Sequence, residues 1–297
     1  MRLKEQIKKQ IESKVEYIVG NNLRNEVLIS EKDRDAIERK KALCQNRSAE
    51  IVKCRANSRI LSKQLGENDT TELLYRVHYQ YLIKQGDHLY LEEQCEERNA
   101  VFKDSELMDD NEIVNFDVQS TEAFSREIDE EFNRAYQYDR LAAVRYAERW
   151  WNSYNPKYKK FEVDCTNYIS QCIHEGGVPM TGYPNRSKGW WMRNNNWSYS
   201  WSVAHSFRWY LSGSTSGLRA KEVSSAEELL LGDVICYDFE GDGRFNHTTI
   251  VVAKDAEGMP LVNAHTSNSR MRYWAYEDST AYTPNIKYKF FSILDNG

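Results

Sequence analysis

Apolar residues near the start of the chain recur about once per helical turn. Leu3, Ile7, Ile11, Val15 and Ile18 share one face, and the spacing predicts an amphipathic helix over residues 3–18. Residues 32–62 predict a second, mostly polar helical stretch. The pattern then changes to partial alternation. Residues 74–83 (LYRVHYQYLI) are rich in β-branched and aromatic side chains and read as a strand. Gln85-Gly86-Asp87 is a turn signal, with residues 88–95 as the returning strand. Residues 1–118 are thus expected to form a small α+β domain whose strands bury one face. The acidic run over 104–120 marks a loop or boundary.

Residues 121–152 read as helical, with Thr121 as N-cap and Leu141, Val144, Ala147 and Trp151 at spacings of three and four, before Asn155-Pro156 ends the run. The division that follows is a helical linker at 119–135 and a C-terminal domain at 136–297. In that domain a helix is expected at 164–175 and a Trp-rich loop region at 185–216. Strands are expected near 233–239, 247–253 and 260–266, forming an antiparallel meander. The fold class is α+β.

Composition narrows the function classes. A length of 297 residues with 40% apolar and 29% charged positions suits two ordinary globular domains. A formal charge of -5 leaves no broad basic footprint for nucleic acid or anionic membranes. No apolar run reaches the roughly 20 residues of a membrane span, and no secretory leader is visible. The chain as written is therefore expected to be cytoplasmic. Nothing in it bears on oligomeric state. Cys44, Cys54, Cys95, Cys165, Cys172 and Cys236 include no CxxC pair, so reduced thiols are expected. All eight tryptophans lie at or after Trp150.

The most informative stretch is Asp164-Cys165-Thr166-Asn167-Tyr168. Asp164 is a suitable N-cap, which puts Cys165 in the first turn of a helix that stops at Gly176-Gly177. A helix N-terminus favours a thiolate, the species that attacks carbonyls, and offers unbonded N–H groups to an oxyanion. Cys172, seven residues on, is expected to pack inward.

His247 opens the second strand of the meander. A turn centred on Ala256 would place His247 opposite His265, and one centred on Asp255 would place it opposite Asn263. Gly258 fits the first register better, so His265 is the expected partner that orients the imidazole, with Asn263 as the alternative. His78, His88, His174 and His205 have no comparable arrangement. No metal set is expected. Asp238-x-Glu240-x-Asp242-Gly243 reads as a tight turn rather than a calcium loop.

Several separate motifs fall together: Tyr138-Asp139-Arg140, Trp150-Trp151-Asn152, Asn155-Pro156, Asp164 to Gln171, Gly176-Gly177, Gly232-Asp233-Val234, His247-Thr248 and His265-Thr266. Over about 136–292 the chain resembles the putative amidase domain of bacilli, a branch of the NlpC/P60-like papain-fold superfamily. The resemblance implies a papain-like C-terminal domain with helices packed on an antiparallel sheet. It makes Cys165 the nucleophile, His247 the base, and a polar residue on the next strand, His265 or Asn263, the third member. Backbone N–H groups near Asp164 and Thr166 would hold the oxyanion, and no cofactor is needed. Trp190, Trp191 and Trp197, with asparagines between them, could wall a cleft. The expected activity is a cysteine amidohydrolase or peptidase acting on a peptide or other amide substrate, with cell-wall-type peptides as the candidate class. The alternative is an inactive peptide- or glycan-binding module on the same fold.

Overall fold

The computed structural model describes residues 2–20, 29–67, 69–114 and 135–295, and the N-terminal periodicity is realised in it. Helix α1 (Arg2–Val19) buries Ile7, Ile11 and Ile18, with Leu3 and Val15 packed against the same core. Helix α2 (Glu31–Asn46) is capped by Ser30, whose hydroxyl accepts from the Asp33 N–H at 3.2 Å. The helix expected over 32–62 therefore stops early. The chain reverses at Ser48 (φ 52°), and strand β1 (Ala49–Leu65) follows. Polarity misled the reading: β1 pairs only with the next strand of its unit, and such an edge position accepts Lys53, Arg55, Asn57 and Arg59 on solvent.

Strands β2 (Thr70–Gln85), β3 (His88–Lys103) and β4 (Glu106–Glu112) complete an antiparallel meander. Gln85 pairs with His88, so the turn is Gly86-Asp87, and Gly86 has the positive φ (57°) such a tight hairpin needs. Leu73, Tyr75, Val77, Tyr79, Tyr81 and Ile83 alternate inward along β2 and form the core with α1 and α2.

By its contacts the chain forms two compact units, Met1–Val114 with Ala275–Tyr282, and Asn115–Trp274 with Thr283–Gly297. The short late segment belongs to the first unit through polar bonds. Lys40 binds Asp278 at 3.0 Å, the Arg39 guanidinium donates to the carbonyls of Glu277 and Ser279, and Thr280 donates to Glu112 at 2.7 Å.

In the second unit, α3 (Arg140–Trp150) starts at Asp139, whose side chain accepts from the Ala142 N–H. Residues 121–134, including Thr121, and nearly all of the expected 119–135 linker lie outside the described residues. Helix α3 buries Ala143, Tyr146 and Ala147, while Leu141, expected inward, is exposed. Helix α4 (Cys165–Glu175) ends at Gly176. The Trp-rich region is not a loop. It contains a small hairpin, β5 (Met192–Arg193) and β6 (Asn196–Trp197), then α5 (Tyr199–Ser202) and α6 (Ala204–Gly213). Asn194 and Asn195, at φ 52° and 55°, supply the left-handed turn of that hairpin.

The strands are β7 (Ala220–Val223), β8 (Val234–Asp238), β9 (His247–Lys254), β10 (Pro260–Ala264), β11 (Ser269–Tyr273) and β12 (Lys287–Ile293). Within this unit they are ordered β11-β10-β9-β8-β12-β7, all antiparallel. Helix α4 packs on β9, joining Tyr168, Ile169, Cys172 and Ile173 to Val234, Cys236, Ile250 and Val252. The fold is thus mixed α+β with a large antiparallel sheet. No helix among the described residues is long and apolar enough to cross a membrane.

Candidate active site

Cys165 is the first residue of α4. Asp164 stands at the N-cap position but makes no side-chain cap bond. Its Oδ1 accepts from the Phe161 N–H and the Asn167 amide, both at 2.9 Å, and its Oδ2 turns to His265. The expected cap is therefore absent, and Asp164 leaves the first-turn N–H groups of α4 untouched. Cys165 is 2% exposed, and its sulfur lies 3.7 Å from Thr166 Oγ1, which is 3.2 Å from Thr248 Oγ1 on β9. Burial pushes the thiol up, and hydrogen bonding from Thr166 and Thr248 opposes this only in part.

His247 is the residue before Thr248, and that one position decides where its ring goes. Side chains alternate across a strand. Thr248 pairs with Cys236 and meets Thr166 of α4, so it lies on the helix-covered face. His247 pairs with Tyr237, and its ring packs near Tyr237 (5.6 Å) and Phe239 (6.1 Å) on the opposite face. Burial, aided by the positive charge of Arg272, pushes His247 down to about 3. A thiolate–imidazolium pair needs the opposite, a lowered thiol and a raised imidazole. No hydrogen bond joins the Cys165 sulfur to His247 in this structure.

The register expected for β9 and β10 is also corrected. Pro260 pairs with Lys254 and Asn263 with Ile250, with Val252 as an extra residue in β9. The hairpin turns later than either expected register, so neither His265 nor Asn263 comes opposite His247. His265 instead holds the approach to α4. Its Nδ1 is 2.7 Å from Asp164 Oδ2, its Nε2 is 2.7 Å from the Trp150 carbonyl, and its ring stacks on Tyr168 at 4.0 Å. The Thr266 hydroxyl accepts from the Asp164 N–H at 3.0 Å. Asn263 donates to Glu148 and accepts from the Met271 N–H.

The family described as "Putative amidase domain" matches residues 137–291, just over half of the 297 positions. The chain belongs to this amidase family. It is 54% identical over 294 residues to "Uncharacterized protein YhbB" of Bacillus subtilis (strain 168), covering 96% of this chain and 94% of that protein. A second relative, "Uncharacterized protein YjcM" of the same organism, is 31% identical over 140 residues, 44% of this chain and 31% of the relative. No solved structure matches.

Within this family member Trp190 and Trp191 fill core. Trp190 and Trp191 are 0% and 1% exposed, with indole N–H groups donated to Ser170 Oγ and to the Asn185 and Lys188 carbonyls. They cannot wall a cleft as expected. Trp197 is half-buried, edge-on to Phe161, with Lys159 and Arg186 over its ring. The Asp238 turn is held by its own carboxylate, which accepts from the Gly241 and Gly243 N–H groups. Sequence reasoning missed Thr248 as the neighbour of the thiol, and the Asp164–His265–Trp150 clamp. The pairing of Asp164 with His265-Thr266 was latent in two motifs read separately.

Proposed function

We propose that the C-terminal unit cleaves a peptide-type amide bond, with Cys165 as nucleophile. The position of Cys165 carries this reading: it opens a helix whose preceding acidic residue has turned to His265, so the first-turn N–H groups are left for a developing oxyanion. Such a donor typically lowers the barrier by roughly 3–4 kcal/mol. His247 is the base in this reading. Its ring must leave Tyr237 and turn to the Thr248 side of β9, giving up the terminal Tyr237–His247 pair. It then takes the thiol proton, the sulfur attacks the carbonyl carbon, and the imidazolium protonates the departing amine. Water hydrolyses the thioester. His265 is the positioning residue that holds Asp164 and the start of α4.

A second reading has its own observation: with the thiol buried and the imidazole on the other face, the unit binds an amide-bearing ligand without cleaving it. Mass-mapped alkylation with iodoacetamide from pH 5 to 9, run beside amine release from cell-wall-type peptides, separates the two. The hydrolase should label Cys165 faster than Cys172 and Cys236, and His247→Ala should slow both labelling and amine release. Equal labelling of the three thiols, with no release that Cys165→Ala removes, would sink the hydrolase and leave the binder.

A further inference from the structure

The C-terminal unit carries a concavity away from Cys165. Helix α4 begins at Cys165 and contributes only its last residue, Glu175, to it. The cavity measures ≈ 610 Å³, within the usual size range of small-ligand sites. Its walls hold three cations, Arg145, Arg149 and Lys157, against the single carboxylate of Glu175. That local excess of positive charge stands in a chain of formal charge -5.

Arg145 and Arg149 are one turn apart on α3, so their side chains run side by side. Among the described residues neither Arg149 nor Lys157 has a carboxylate partner, and Arg145 has only the exposed Asp139 at 3.8 Å. The Arg149 guanidinium lies over the Trp150 ring, 5.1 Å from its centre. Trp150, Tyr146 and Pro156 supply the apolar wall. The Tyr146 hydroxyl is already committed. It donates to Gln171 Oε1 (2.7 Å) and accepts from the Asn155 amide (2.9 Å). Those bonds tie the 155–157 turn to α3 and α4, so the cavity is built before any ligand arrives.

We propose that this cavity binds an organic phosphate monoester. The phosphoryl dianion sits among Arg145, Arg149 and Lys157, and the carbon portion lies against Trp150 and Pro156. Two excess positive charges match a dianion better than a monocarboxylate, and paired guanidinium forks suit phosphoryl oxygens. The site does not depend on Cys165 being catalytic.

Isothermal titration calorimetry on the full chain tests it, with phenyl phosphate, inorganic phosphate, phenol and benzoate as probes. Phenyl phosphate should bind tighter than inorganic phosphate or benzoate, phenol should give no heat, and added salt should weaken binding. Arg149→Ala should raise the Kd about tenfold or more, and Arg149→Lys less. Glu175→Gln should tighten binding. Absence of binding by both phosphates overturns the proposal, as does binding that survives the Arg145→Ala/Arg149→Ala double variant. Equal affinity for the two phosphates would overturn the organic half, leaving a site for free phosphate alone.

Discussion

In the N-terminal unit Arg98 is buried with carboxylates on several sides, whereas in the C-terminal unit the buried Cys165 and His247 are held neutral. Arg98 forks onto Asp33 at 2.6 and 3.1 Å and also reaches Glu96 and Asp110. Lys14 binds Asp33 and Glu96, and Tyr75 donates to Asp110. Burial alone would raise the Asp33 carboxyl, but Lys14 and Arg98 hold it well below the usual carboxylate range. At Cys165 the hydrogen bonds of Thr166 and Thr248 offset burial only in part, and at His247 the charge of Arg272 adds to it, so each is driven toward its uncharged form. A protein keeps charge inside where opposite charges outweigh burial and discharges the group where they do not. The same rule describes what the proposed nucleophile lacks: the imidazole that would stabilise a thiolate lies across the sheet.

The sharpest way to break this contrast is to remove the cation at the centre of the N-terminal network. Arg98→Met leaves three carboxylates facing one another around Lys14. It should cost about 3–5 kcal/mol, the usual loss when a buried pair is broken by removing one partner. Urea unfolding followed by far-UV circular dichroism reads this. Tryptophan fluorescence reports the C-terminal unit alone, because all eight tryptophans lie at or after Trp150, and its midpoint should move far less. A loss below 1 kcal/mol would mean that water already reaches the network.

How much of this was legible beforehand follows the same physics. Strands and helices with strong apolar patterns, such as α1, β2, α4 and β9, could be read because burial dictates their residue types. Strand β1 could not, since an edge strand faces water and its polar run mimics a helix. The nucleophile candidate was legible because helix-start chemistry is local. The partnership of His247 was not, because it hangs on strand parity. The single extra residue Val252 shifts the β10 partner, and one step along β9 separates a ring facing Cys165 from one facing Tyr237. Arg145 and Arg149 carry no signal of their own in the sequence, since two arginines one turn apart are ordinary on an exposed helix face.

The C-terminal side of the contrast predicts an acid-labile unit. His247 sits near 3 when folded, against an ordinary value of 6.5. Between those values the unfolded chain binds a proton that the native state refuses, so stability rises with pH and is lost as pH falls. Each unit of pH in that window is worth at most about 1.4 kcal/mol, so roughly 2 kcal/mol should vanish between pH 6.5 and 5. Urea midpoints by tryptophan fluorescence at pH 7, 6 and 5 should show the fall, and His247→Gln should flatten it. An unchanged slope in the variant would show that the ring is charged or solvated in the folded protein.

The smallest effect returns to the N-terminal unit, where one carboxyl departs from the paired pattern. Glu112 is half-buried, and burial together with the nearby Glu96 charge pushes it up to about 7, although Thr280 donates to it. The sign here is opposite to that of His247. A raised acid contributes stability that is complete below its ordinary value of 4.5 and fades as pH rises through about 7. Glu112→Gln keeps an acceptor for Thr280 and removes a charge facing Glu96. At pH 7.5 it should stabilise the protein by on the order of 1 kcal/mol, a figure trimmed for the water that reaches the site. At pH 4, below both values, the carboxyl carries its proton folded or unfolded, and the two proteins should have nearly the same circular-dichroism midpoint. A variant less stable than the parent at pH 7.5 would place Glu112 among the charges that Lys14 and Arg98 satisfy, and would extend the paired network along β4 beyond Asp110.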